Sequence, residues 1–525
     1  MKRFLAALLG LITFVTCFAT TGCNNSGVSD EQKQNALIIE YYKAGYGELW
    51  IQKLAAAYTE KYGQEVITLP RSGDKGIENM STTFHSGASE TDLFFTKGAN
   101  FADIYKGGQA STNYYTDITD VYETTIEGEN VKVKDKMYDA FEQFYKMPSE
   151  GKYYDDKYYF FPWVTGMMGI VVNMNVWNEV AQGKSFPRTT DEFIELCASV
   201  KGVKEGVAPF IFSLSDEYFT PYYQVFMNQY EGNARMDKFY QGYNPFGKRY
   251  GTDMVAYDGF EKALNFFEKL LVKEKVDGKD VYKYMHKDSV SIDFQGMQGS
   301  FLNGSALFSI NGDWLENEMI KKYPNVNLQM LKTPVLSAVA DKCSFAESPN
   351  KEQILRDIID YVDGTVETKP AGCTDADIEY IREARAVEYV TGNELVSYIP
   401  TYSNQIPAAK NFLKFMASDE GMKIFRDNTL GCELPFNYTV KSQATGVTSF
   451  RQSINSILDV STARFVNGKD KIYSVGGINE LLYIEGSRFA DAFAKGQSAS
   501  DYFATIVDYV NDLLLDGALK QAGII

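Results

Sequence analysis

The chain has 525 residues and a formal net charge of −17, with 45% apolar and 14% aromatic residues. So acidic a balance argues against nucleic acid and anionic lipid as partners, since both favour basic patches. The apolar fraction is ample for packed cores, which excludes global disorder, and the length points to roughly two to four compact units. Only two histidines exist, His85 and His286, and neither has a second His or Cys at ligand spacing. A His-based metal centre and a Ser–His nucleophile are therefore not expected, and no cofactor is expected.

The N-terminus opens with a short basic stretch, Lys2 and Arg3, followed by an uncharged, mostly apolar run from Phe4 to Ala19. A membrane span needs about 20 apolar residues, so this run fits the apolar region of a signal peptide. It ends at Ala19-Thr20-Thr21-Gly22-Cys23, ahead of the polar run Asn24-Asn25-Ser26-Gly27. The pattern resembles a bacterial lipobox, with Thr20 where a leucine is usual. The resemblance implies that residues 1–22 are removed and that Cys23 is lipidated. The plainer alternative is an ordinary secretory signal with an incidental cysteine. Cys17 is the poorer candidate because the bulkier Thr16 precedes it. Residues 23–35 read as a flexible tether, and no later stretch is apolar enough for long enough to span a bilayer. Of the four remaining cysteines, Cys197 falls on a helix face, Cys343 and Cys373 are a conceivable disulfide pair in an exported chain, and Cys432 stands apart. None has zinc-ribbon or redox-motif spacing.

Beyond the tether the elements alternate. The apolar run Leu37 to Tyr42 reads as a strand, and Trp50, Leu54, Ala57 and Tyr58 then mark one face of a helix. Val66 to Pro70 is a second strand, parallel to the first, and Asp92 to Thr96 a third. Gly169 to Asn173 is a strand. Thr189 and Glu192 form a capping-box pattern before a helix with Phe193, Leu196, Cys197 and Val200 on its buried face. Pro209 to Ser213 is the next strand. Asp258 starts a helix with Phe260, Ala263, Leu264, Phe267 and Leu271 on one face, and Ala306 to Ile310 is one more strand. Helices are also expected from Lys351 to Val362 and from Asp375 to Val390. Strands alternating with amphipathic helices indicate α/β lobes with mainly parallel sheets.

Four segments, in order, resemble one family. They are Lys152 to Trp163 with Gly169 to Asn173; Pro187-Arg188-Thr189-Thr190-Asp191-Glu192-Phe193; Asn303 to Trp314, containing Asn311-Gly312-Asp313-Trp314; and Ala408 to Met416 with Ser418-Asp419-Glu420-Gly421. Together they are similar to the motifs of family 1 extracellular solute-binding proteins, over about residues 36–430, with the maltose-binding branch the best understood relative. The resemblance implies a two-lobed α/β fold of the periplasmic-binding-protein type (type II), with a hinge and an interlobe cleft. Lobe one is expected at 36–162 and lobe two at 163–325. The chain should then return to lobe one over 326–428, with an acidic helical insertion at 345–400. A C-terminal helical segment, 429–525, should lie mainly on lobe two. Neither 345–400 nor the weakly patterned stretch 432–480 has a functional reading from sequence. The resemblance implies a monomeric binding lipoprotein on the outer face of the bacterial cytoplasmic membrane. It would capture a carbohydrate, an oligosaccharide in particular, for the permease subunits of an ABC importer.

Open α/β sheets bind ligands beyond the carboxyl ends of their strands. In lobe one that rule selects the turns at Lys43 to Gly47 and Thr96 to Asn100. In lobe two it selects Ser213 to Tyr218 and Asn311 to Trp314, with Trp163 to Gly166 from the hinge. Sugars need flat aromatic faces for their C–H surfaces and planar polar groups for their hydroxyls. The candidate ligand residues are therefore Tyr46, Lys97, Asn100, Trp163, Thr165, Asp216, Tyr218, Asp313 and Trp314. Trp314 sits where relatives carry a sugar-stacking tryptophan, and Asp216 and Tyr218 match a Glu and a Tyr of the maltose-binding branch. Seven of the nine have a plainer reading: helix-start packing for Trp314, core for Tyr218, a helix cap for Asp216, hinge packing for Trp163, and solvated loop for Tyr46, Lys97 and Asn100. Three rival functions stand beside sugar import. One is a surface glycosidase, which needs two carboxylates at a defined separation. The others are a sensor or adhesion lipoprotein without transport, and import of a peptide, polyamine or anion.

Overall fold

The computed structural model describes residues 35–98, 104, 114–147, 156–214, 222–437, 439, 447–464, 469–475, 477–478 and 486–525. The lipobox and Cys23 lie outside the described residues. In lobe one, β1 (Leu37–Tyr42) is buried over nearly its whole length, with Glu40 the one charged residue in an otherwise apolar run. It pairs in parallel with β2 (Val66–Arg71) on one side and β3 (Leu93–Lys97) on the other. Helix Leu49–Tyr62 connects β1 to β2 and buries Trp50, Ile51, Leu54 and Tyr58. The sheet continues from β3 through a strand contributed late in the chain to β4 (Phe161–Pro162).

Lobe two is built around β5 (Met168–Asn173), buried at all six positions. Next to it lies β9 (Ala306–Gly312), and β6 (Ala208–Ile211) lies on the far side of β9; an antiparallel hairpin of β7 (Lys273–Val276) and β8 (Lys279–Tyr282) precedes β9 in the chain. β9 runs antiparallel to β5 and parallel to β6. Helix Thr190–Val200 starts at the Thr189 cap, which accepts from the Glu192 amide at 3.2 Å. The Glu192 carboxylate does not complete the expected capping box; it turns to the Arg188 amide and guanidinium instead. Helix Asp258–Leu270 presents Phe260, Ala263, Leu264 and Phe267 to the core.

The expected return to lobe one at residue 326 is corrected by the structure. β10 (Leu328–Met330) pairs with β5. Helices Lys351–Val362 and Asp375–Ala386 bury Leu355, Ile358, Ile359, Ile378 and Ile381 in the core of lobe two. The second helix, expected to reach Val390, stops at Ala386 because Val387, Glu388 and Tyr389 form β11 (Val387–Tyr389), which pairs with β5 and with β13 (Thr462–Arg464). Only then does the chain cross back, where β12 (Leu395–Tyr398) inserts antiparallel between β3 and β4. Phe412, Phe415, Phe425, Leu434 and Phe436 complete the core of lobe one. The chain crosses once more before helix Ser449–Leu458. That helix and helix Ala499–Leu515 pack on lobe two.

Among the described residues two segments cross between the lobes, residues 163–167 and residues 390–394, and the chain is back on lobe two by Thr448. The two segments pass backbone to backbone. A Cβ at Gly392 would lie 2.4 Å from the Thr165 carbonyl oxygen and 2.5 Å from that of Val164. Gly166 has a φ of 63°, and a Cβ there would lie 2.3 Å from Thr391 Oγ1. No side chain fits at either position. Among the described residues no helix is long and apolar enough to cross a membrane. Cys197, Cys343, Cys373 and Cys432 are free thiols.

Candidate ligand-binding cleft

Strand register sets the cleft. Lys97 at the end of β3 pairs with Leu395 as it leaves the second crossing, and Gly312 at the end of β9 pairs with Met168 as it leaves the first. The carboxyl ends of β1, β3 and β9 therefore meet at the hinge, where an open α/β sheet places its ligand.

Trp314 stands at the end of β9, half-buried. Its ring lies so close over Gly312 that a Cβ there would fall 2.2 Å from it, and a Cβ at Gly45 of lobe one would fall 2.7 Å from Trp314 Cβ. The tryptophan thus spans from one lobe to the first loop of the other. Beside it, Asp313 is 2% exposed and Tyr46 3%. The Tyr46 hydroxyl donates to Asp313 Oδ1 at 2.7 Å, a hydrogen bond between lobes. Burial first, and the Asp313 charge second, push the Tyr46 phenol well above its ordinary range, so it stays a donor. The other carboxylate oxygen, Oδ2, takes a hydrogen bond from Arg451 Nη1 at 2.9 Å. Asp313 was expected on ligand hydroxyls; both its oxygens instead have protein partners.

Trp163 also departs from the expectation of a free cleft wall. It is fully buried, stacked on Trp50 with centroids 5.2 Å apart and planes at 12°, and its indole N–H donates to the Thr96 carbonyl at 3.3 Å. The edge of Tyr46 meets it at 5.8 Å. Lys97 is exposed at the end of β3, 3.7 Å from the Glu394 carboxylate. Thr165 is buried in the first crossing, its amide donating to the Glu433 carbonyl at 2.8 Å. Asn100, Asp216 and Tyr218 lie outside the described residues.

Two residues of this region, Arg451 and Thr391, were missed in the sequence, while Asn311 lay in a selected turn without being named as a contact. Arg451 comes from the weakly patterned C-terminal stretch. Thr391 and Asn311 are buried at the hinge end of the lobe-two sheet. The hydroxyls of Thr165 and Thr391 and the Asn311 side-chain nitrogen have no hydrogen-bond partner among the described residues. Such groups are rare in folded proteins and mark places where water or ligand completes the bonding. A separate surface depression of about 540 Å³ lies on lobe two between the starts of helices Thr190–Val200 and Lys351–Val362 and helix Asp258–Leu270. It shares no residue with the cleft, and its lysines 262, 269 and 351 are paired with Asp341, Asp191 and Asp341.

Two α/β lobes, crossing segments that meet at glycines, and strand ends facing one another across the hinge define a hinged binding protein. The family model described as bacterial extracellular solute-binding protein matches residues 44–342, more than half of the chain, and the chain belongs to that family. It is therefore a solute-binding protein that works outside the cytoplasm. Solved structures with a similar fold include the binding protein MsmE of Bacillus subtilis (16% identity, TM-score 0.54, covering 92% of this chain and 99% of that one). The GacH receptor of Streptomyces glaucescens is similar at 13% identity and TM-score 0.56, over 92% and 99%. The apo form of RafE from Streptococcus pneumoniae is similar at 13% identity and TM-score 0.55, over 93% and 100%. At these identities the likeness is one of fold. No curated protein sequence matches the chain.

Proposed function

We propose that the cleft binds a carbohydrate, an oligosaccharide in particular, and delivers it by hinge closure to the permease subunits of an ABC importer. The observation that carries this reading is the setting of Trp314: a partly buried indole at the end of β9, packed toward the first loop and core of the opposite lobe. An indole face covers the C–H surface of a sugar ring, and the unpartnered Thr165, Thr391 and Asn311 groups offer hydrogen bonds nearby. Structures of the same fold support the choice of ligand, since RafE has been solved with raffinose and GacH with acarbose. Lys97, Asn100, Asp216 and Tyr218 are proposed as further contacts from the surrounding loops. A ligand that touches both lobes only when they close shifts the population toward closure by that differential affinity. Micromolar affinity, about −8 kcal/mol, suits capture followed by release. Cys23 is proposed as the lipid anchor that holds the protein, as a monomer, on the outer face of the bacterial cytoplasmic membrane.

A thermal-shift screen tests the cargo, since a ligand at 100 times its Kd adds about 2.7 kcal/mol of stability. Mono- and oligosaccharides should raise the melting temperature while amino acids, polyamines and simple anions do not. A shift confined to a non-sugar class would overturn the carbohydrate assignment, and turnover of an oligosaccharide would replace binding with glycoside hydrolysis. For the anchor, Cys23→Ser should release the protein from membranes into the soluble fraction; retention would exclude Cys23.

A further inference from the structure

Arg451 lies outside the stretch that matches the family, yet it reaches the centre of the cleft. Helix Ser449–Leu458 is capped by Thr448, whose Oγ1 accepts from the Arg451 amide at 3.2 Å and donates to Glu316 Oε2 at 2.7 Å. The helix is pinned against β10 by the Met330 amide, which donates to Ser453 Oγ at 2.8 Å. Arg451 in its first turn is 1% exposed, an unusual burial for arginine. Its guanidinium makes two bonds to one residue: Nη1 to Asp313 Oδ2 at 2.9 Å and Nη2 to the Asp313 carbonyl oxygen at 2.6 Å. One bond fixes the side chain and the other fixes the peptide that leads into Trp314. Tyr46 of lobe one holds the remaining carboxylate oxygen.

We propose that Arg451 is a positioning residue for ligand binding, clamping Asp313 so that the Trp314 ring is held over Gly312 and toward the cleft. Asp313 then acts as the anchor of that clamp, and Tyr46 as its contact with lobe one. The inference rests on Trp314 being the ligand platform, but its first test needs no ligand. Trp50, Trp163 and Trp177 are buried, so the tryptophan emission open to acrylamide comes from Trp314, with Trp314→Phe as the baseline. Arg451→Lys keeps the charge but lacks the rigid two-nitrogen fork that makes the two bonds, and Tyr46→Phe removes only the lobe-one contact.

Quenching of the ligand-free protein should rise in Arg451→Lys and, by less, in Tyr46→Phe. Calorimetric affinity for the sugar that gives the largest thermal shift should fall about tenfold in Arg451→Lys. If Arg451→Lys does not fold, Tyr46→Phe decides. Quenching equal to wild type in every folded variant would overturn the clamp, even with sugar binding intact. Raised quenching in a protein that binds no sugar would keep the clamp and remove the carbohydrate assignment alone.

Discussion

Two buried carboxylates on the sheet of lobe two, Asp313 just past β9 and Glu388 in β11, are satisfied in different ways. Asp313 meets a guanidinium at 2.9 Å and a phenol at 2.7 Å, both from distant parts of the chain. Glu388 is fully buried and, among the described residues, accepts from the Thr333 amide at 2.9 Å and the Thr333 hydroxyl at 2.5 Å, while nearby Arg385 is bonded to Asp363 and to the Thr333 carbonyl. Burial pushes the Glu388 carboxyl up to about 7, with the Thr333 bonds opposing it. The contrast separates two uses of a buried acid. Neutral donors make burial tolerable when the proton can stay, whereas a matched cation holds a charge in place and with it the backbone that carries it.

The largest expected effect is at the ion pair. Arg451→Met leaves Asp313 buried without its cation and should cost about 3–5 kcal/mol in denaturant unfolding; a loss under about 1 kcal/mol would erase the distinction between the two acids. Glu388 comes next. Its folded-state pKa is raised from 4.5 to about 7, so the folded protein binds the proton more tightly than the unfolded chain. The associated stability is complete below pH 4.5 and is lost as pH rises through about 7, by up to about 3 kcal/mol. Glu388→Gln should remove that component when unfolding is compared at pH 5 and pH 8; an unchanged pH slope would contradict it. Tyr46→Phe should cost about 1.5–3 kcal/mol, the range for a hydrogen bond to a charged group, measured by thermal unfolding. The smallest effect belongs to an exposed pair. Lys204 and Glu179 are about half exposed, and Lys204→Ala should change stability by less than about 0.5 kcal/mol.

Much of the architecture was legible because it is local. The apolar run Leu37 to Tyr42 could only be a strand covered on both faces, and Thr189 announced its helix by a cap three residues from its amide partner. The face Leu355, Ile358 and Ile359 announced a helix but not which lobe it serves, since an amphipathic face carries no address. That depended on the edge of β5, which takes β10 and β11. In the candidate cleft, Trp314 and Tyr46 were picked out from their place after strands. Trp163 was also found, but its stacking on Trp50 is a contact across 113 residues that no spacing reveals. Arg451 was missed for the same reason: it lies in a stretch that reads as weakly patterned, and its partner lies 138 residues away.

Trp314 is proposed as the platform on which this solute-binding protein holds a carbohydrate. Isothermal titration of the wild type and Trp314→Ala with the oligosaccharide giving the largest thermal shift tests it directly. Binding should be of the order of micromolar in the wild type and at least about tenfold weaker in the variant; equal affinity in the two proteins would contradict the claim.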